Sequence, residues 1–181
     1  MSVFLFLAEG FEEIEAVSTI DILRRGGLDV TTISISNHPT VTGAHGIPVI
    51  ADALFDEIDF SSGEILILPG GMPGAKNLNE HAGFKSLLKH YAANGKYIAA
   101  ICAAPLVLGE LNVLQGKKAV VYPGYEDYLH GATVLKENVV KDGNIITGRG
   151  PGAVVDFALT LVAELRGQAQ ATDVAEKMLL K

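Results

Sequence analysis

Within its 181 residues the chain has a single cysteine, Cys102. No disulfide can close within it, and a lone thiol fits a reducing, cytoplasmic setting. Runs of lysine or arginine are missing, and the formal net charge is −7. Nucleic acid is thereby excluded as a partner, because such affinity rests on basic side chains neutralising phosphates. The opening apolar run, Ser2 to Ala8, is too short to span a bilayer and has no basic flank. No membrane association is expected. The five histidines, His38, His45, His81, His90 and His130, form no His-Glu-x-x-His or Cys/His pattern, so no metal is expected. Gly-x-Ser-x-Gly is absent, which argues against a serine hydrolase. There is no repeat, low-complexity tract or Ser/Pro linker, so residues 1–181 read as a single domain.

What is present is a core. Apolar residues make up 49% and charged residues 19%, far from a disordered composition. Val3 to Ala8 is a continuous apolar run, as in a parallel strand covered on both faces. From Glu12 a helical pattern carries Ile14, Val17, Ile20 and Leu23 to a stop at Gly26-Gly27. Glu12 and Glu13 complement the helix dipole, whereas Glu15 stands one turn in, among apolar neighbours. Leu28 to Ser36 reads as strand two, with short antiparallel pieces at 40–41 and 47–50. Glu64 to Leu68 is another buried strand, running into Pro69-Gly70-Gly71-Met72-Pro73-Gly74. That turn lacks the Lys-Ser/Thr ending of a phosphate loop. A helix over 75–93, broken near Gly83, follows. Lys118 to Tyr122 is a further strand. Asp142-Gly143 between apolar runs signals a hairpin. A strongly apolar helix runs from Ala153 to Leu165, and Thr172 or Asp173 caps a last one.

The centre of the chain is Tyr97 to Leu108. Tyr97 to Ile101 reads as a buried strand, and Pro105 suits the first turn of a helix. Cys102 falls at the bend between them. A strand turning sharply into a helix holds the residue at the bend in strained geometry, here with its side chain expected to be exposed. Helix N–H groups beside the sulfur favour thiolate. The alternative is an inert core cysteine, since free Cys is often buried.

Strands alternating with helices predict a doubly wound, mostly parallel sheet with helices on both faces. Ligands in such folds bind at the carboxyl ends of the strands, where strand order reverses. The loops at that edge carry Glu15, Gly70-Gly71, Cys102-Ala103, Tyr122 and Gly148 to Gly152. A carboxyl, a thiol and two runs of small-residue backbone thus converge there.

At these residues the chain resembles the ThiJ/PfpI superfamily, in the branch of the parkinsonism-associated protein deglycase and its small bacterial relatives. The likeness runs end to end. It is carried by Ala8-Glu9-Gly10-Phe11-Glu12-Glu13-Ile14-Glu15, Leu68-Pro69-Gly70-Gly71, Ala99 to Pro105 and Arg149-Gly150-Pro151-Gly152. The resemblance implies a flavodoxin-like sandwich with a nucleophile elbow, and a homodimer. It also implies Cys102 as the reactive thiol and Glu15 as the carboxyl touching it. The amides of Gly71 and Ala103, beside Gly70, would form an oxyanion pocket. Two positions depart from relatives: Tyr122 stands where the deglycase branch often has histidine, and Ala103 where a protease-like branch has histidine. The second argues against proteolysis.

The chemistry then implied is addition of a Cys102 thiolate to the aldehyde of methylglyoxal or glyoxal, or hydrolysis of their adducts on protein amines. Neither needs a cofactor. An ionised Glu15 would repel the thiolate, so Glu15 must be protonated and donate to it. The alternative is a non-enzymatic sensor of oxidative stress or a chaperone, in which Cys102 oxidises to sulfinate. Ile14, Val17 and Ile20 add an apolar helix face suited to the dimer.

Overall fold

The computed structural model describes residues 2–180. In chain order it has β1 (Ser2–Leu7), α1 (Glu13–Arg25), β2 (Asp29–Ser34), β3 (Thr40–Thr42), β4 (Pro48–Ile50) and β5 (Ala53–Leu54). Next come β6 (Gly63–Leu68), α2 (Gly74–Glu80), α3 (Ala82–Ala93), β7 (Tyr97–Ile101) and α4 (Pro105–Glu110). The remainder is β8 (Lys118–Ala119), β9 (Thr133–Val134), β10 (Val139–Asp142), β11 (Ile145–Gly148), α5 (Val154–Arg166) and α6 (Gln168–Lys177).

Seven strands form one sheet in the order β10-β11-β7-β6-β1-β2-β5. All its pairings are parallel except β10 with β11, the hairpin built on Asp142-Gly143. Side chains alternate across each strand. Val3, Leu5, Leu7, Ile65, Ile67, Ala99 and Ile101 join the α1, α5 and α6 residues Ile22, Leu23, Phe157, Leu161 and Val174. Phe4, Phe6, Leu66, Leu68, Ile98 and Ala100 meet Leu78, Phe84, Leu88, Tyr91 and Leu106 on the other face. Because both faces are covered, the strands carry unbroken apolar runs rather than alternation. The chain moves outward from β1 through β2 to β5, then returns to β6 and proceeds through β7 to β11. Strand order therefore reverses between β1 and β6, which places the ligand-binding crevice at their carboxyl ends.

Three expected elements differ. Lys118 to Tyr122 does not join the main sheet; only its first two residues are strand, paired with β9. Past them Val120 N–H bonds the Thr147 hydroxyl and Tyr122 N–H bonds the Cys102 carbonyl, so the segment is held by the site instead. The break in the 75–93 helix falls at His81, not Gly83. His81 is extended and its Nδ1 accepts the Phe84 N–H at 2.9 Å, restarting the helix as an N-cap. Finally, α6 begins at Gln168, after Gly167 turns at φ 92°. Thr172 and Asp173 lie inside it, bonded to the Gln168 carbonyl and to Lys177.

Candidate active site

Two glycine turns set the floor. Gly10 leaves β1 at φ 82°, and a Cβ there would stand 2.4 Å from the Pro73 ring. Gly71 leaves β6 at φ 91°, and a Cβ there would stand 2.4 Å from the Glu12 nitrogen. Only glycine permits this approach at positive φ. The interlocked turns are joined by Glu12 N–H to the Gly70 carbonyl at 2.9 Å and Gly74 N–H to the Gly10 carbonyl at 3.1 Å. Helix α1 then starts at a fixed point. Glu12 caps it, Oε2 accepting the Glu15 N–H at 2.7 Å.

Glu15 is fully buried. Its Oε2 accepts the Gly70 N–H at 2.8 Å, while its Oε1 has no hydrogen-bond partner in the protein. Burial pushes its carboxyl up to about 7, against the lowering effect of the Gly70 amide and the Cys102 thiol. A carboxyl raised in this way can exchange a proton at neutral pH.

Cys102 follows β7 directly and has φ 64°. For a residue with a Cβ this left-handed conformation costs about 1–3 kcal/mol. The surroundings impose it. Its N–H bonds the Gly148 carbonyl at 2.9 Å, its carbonyl accepts the Tyr122 N–H at 2.8 Å, and Pro105 opens α4 three residues on. The elbow is as expected, but the exposure is not: Cys102 is buried, at 8%. The glycine turn of Gly70 closes over it, where a Cβ would stand 2.6 Å from the Cys102 Cβ. Burial first, then the Glu15 charge, pushes the thiol up to about 12. The backbone amides of Ala103 and Gly71 favour the thiolate and oppose that rise. Thiol and carboxyl therefore titrate as a pair that gives up one proton near neutrality and holds the second far above it.

The structure thus brings Glu15, Gly70, Gly71, Cys102 and Ala103 together. Tyr122 joins them through its backbone, but its side chain is 45% exposed. Its ring covers Gly150, where a Cβ would lie 3.2 Å away. A hollow of about 320 Å³ opens at this point, lined by Tyr122, Asn138, Arg149 and the backbone from Gly150 to Ala153.

Two contributors escape the sequence reading. Glu12 positions Glu15 as its cap, and its i, i+3 spacing from Glu15 was the available signal. Glu13 does more than complement a dipole. It is buried and accepts the His45 N–H at 2.7 Å and ring Nδ1 at 2.8 Å, tying loop 43–47 to α1. Among the described residues, Glu12, Glu13 and His45 are the one group placed to hold a metal ion. The cap and the clamp already account for their contacts.

Known proteins resemble this chain. Protein DJ-1 homolog A of Arabidopsis thaliana is 39% identical over 183 residues, covering 99% of this chain and 47% of that protein. The chain spans about half the length of that relative. A glutathione-independent glyoxalase of Caenorhabditis elegans is 33% identical over 180 residues, covering 99% of this chain and 96% of the relative. A crystal structure of a cysteine-to-alanine mutant of a DJ-1 superfamily protein from Salmonella typhimurium superposes with a TM-score of 0.94 at 37% identity. It covers 98% of this chain and 97% of that one. The DJ-1/PfpI family profile matches residues 1–164, and with an elbow cysteine and a buried glutamate in one crevice the chain belongs to the DJ-1/PfpI family.

Proposed function

We propose that this protein is a cysteine-dependent glyoxalase, with deglycase action on dicarbonyl adducts of protein amines. The observation that carries the reading is the sulfur of Cys102 held at a strained elbow against Glu15 and two amides. The negative charge of the pair belongs on sulfur. A thiolate there has the Ala103 and Gly71 N–H groups beside it, and a protonated Glu15 would add a third donor. A carboxylate in its place has the Gly70 N–H and a weak thiol donor.

The thiolate adds to the aldehyde carbon of R–CO–CHO, and the carbonyl electrons move to oxygen. The Gly71 and Ala103 amides stabilise that oxyanion, and the Glu15 proton neutralises it as a hemithioacetal. The Glu15 carboxylate then removes the proton from the same carbon to give an enediol and returns it to the neighbouring carbon, while the hemithioacetal hydroxyl proton passes to the neighbouring oxygen. This leaves a thioester of a 2-hydroxy acid. Water cleaves the thioester, releasing R–CHOH–COO⁻, a proton and the thiol. The aldehyde carbon is oxidised and its neighbour reduced, so no external redox partner enters. Tyr122 borders the path in the place of an imidazole, leaving Glu15 as the proton carrier.

The reading includes a homodimer and a cytoplasmic setting. Among the described residues no helix is long and apolar enough to cross a membrane. Ile14 and Val17 on α1 are 55% and 48% exposed, and Ile50 on β4 is 75% exposed. An apolar surface of this kind suits a second copy of the chain.

The test is conversion of methylglyoxal to lactate without glutathione. Wild type turns over and Cys102→Ser does not. Absence of turnover with rapid alkylation of Cys102 moves the function to oxidation sensing, for which the neighbouring amides and a protonated Glu15 would hold a sulfinate.

A further inference from the structure

We propose that Arg149 is a specificity residue of this site, and that it favours α-oxoaldehydes whose tail ends in a carboxylate. The inference rests on the dicarbonyl reaction above. Arg149 follows Gly148, whose carbonyl accepts the Cys102 N–H at 2.9 Å. Its own N–H bonds the Asn138 carbonyl at 2.9 Å, so its backbone is fixed on both sides of the elbow's anchor. The side chain is half-buried and lines the 320 Å³ hollow together with Tyr122, the residue that bonds the Cys102 carbonyl. The hollow thus begins one backbone hydrogen bond from Cys102, and the inference places the tail of a Cys102-bound substrate in it.

The guanidinium is available. One of its nitrogens donates to the Lys136 carbonyl at 3.2 Å, which orients it. Among the described residues it forms no ion pair. The neighbouring carboxylates are engaged elsewhere. Asp156 accepts from the Asn138 side chain at 3.0 Å, and Glu126 accepts the Gly124 N–H at 2.7 Å. Arginine offers five N–H donors in a planar fork suited to a carboxylate, so most remain unspent. In a chain of net charge −7, an oriented arginine with no ion pair, lining the hollow that Tyr122 shares, is a place where an anion can be held. Methylglyoxal has no group that could use it; a carboxylate tail does.

The test compares 4,5-dioxopentanoate with methylglyoxal, which share the CO–CHO head and differ by a CH2–COO⁻ extension of the methyl group. Wild type favours the anion in kcat/KM. Arg149→Gln lowers that preference about fivefold, as for a partly exposed ion pair, and Arg149→Lys retains most of it. A general disturbance of the fold slows both substrates and leaves the ratio alone. A second readout needs no turnover: alkylation of Cys102 by iodoacetate relative to iodoacetamide, which should also fall about fivefold in Arg149→Gln. A drop in that ratio without any methylglyoxal turnover sinks the proposed reaction and supports the anion subsite. Ratios equal in wild type and Arg149→Gln overturn the inference, whatever the turnover.

Discussion

Glu15 and Cys102 flank one glycine. A Cβ on Gly70 would stand 2.7 Å from the Glu15 Oε2 and 2.6 Å from the Cys102 Cβ, so the acid and the thiol meet only because this position has no side chain. Both groups belong to buried residues; an ionised Glu15 raises the cost of ionising Cys102, whereas the thiol eases the ionisation of Glu15.

Gly70→Ala is therefore the sharpest steric test of the pair. The added methyl must displace the thiol or the carboxyl. Stability should fall by about 1–3 kcal/mol, and alkylation of Cys102 should slow by on the order of a hundredfold. Denaturation midpoints and iodoacetamide kinetics that match wild type would show that the crevice is looser than this packing.

The raised Glu15 carboxyl makes stability depend on pH. The folded state keeps its proton up to about 7, whereas the unfolded chain releases it near 4.5. Between those values the folded state binds more protons, so stability falls as pH rises. At about 1.4 kcal/mol per pH unit the loss is about 3 kcal/mol. Glu15→Gln removes the titration, so its thermal midpoint should gain on wild type from pH 4.5 to 7 and hold that gain above. A difference independent of pH would mean that Glu15 ionises as it does in water.

Thiol reactivity should separate the donor role of Glu15 from its charge. The pH midpoint of Cys102 alkylation in wild type should lie well below the value of about 12 that burial and an ionised Glu15 set for the thiol, because a protonated Glu15 removes the opposing charge and donates to the sulfur. Glu15→Gln keeps a donor, and its midpoint should stay within about one unit. Glu15→Ala loses the donor, and its midpoint should rise. Equal midpoints in wild type and Glu15→Ala would remove Glu15 from the site.

The exposed face of α1 should hold two copies together. Sedimentation at micromolar concentration is expected to give a dimer for wild type and a monomer for Val17→Glu, which places a charge on that face. A wild-type monomer would leave Ile14, Val17 and Ile50 without the partner proposed.

Local rules were enough for much of this protein. The unbroken apolar runs of β1, β6 and β7 could only be strands buried on both faces, which with the intervening helices gave the doubly wound sheet. The Asp142-Gly143 hairpin and the strand-to-helix bend at Cys102 followed in the same way, because turn chemistry is written in adjacent residues. The carboxyl ends of those strands named Glu15, Gly70, Gly71 and Cys102 as neighbours before any distance was known. What the tertiary structure decided is what depends on residues far apart in the chain. The Gly70 turn, more than thirty residues before the elbow, buries a thiol that local geometry alone would expose. The segment from Lys118 to Tyr122 has a strand's composition, yet it bonds to Thr147 and Cys102 instead of the main sheet. His45 reaches Glu13 across 32 positions. Desolvation and long-range hydrogen bonds have no local signature, so the raised Glu15 carboxyl and the raised Cys102 thiol are properties of the fold alone.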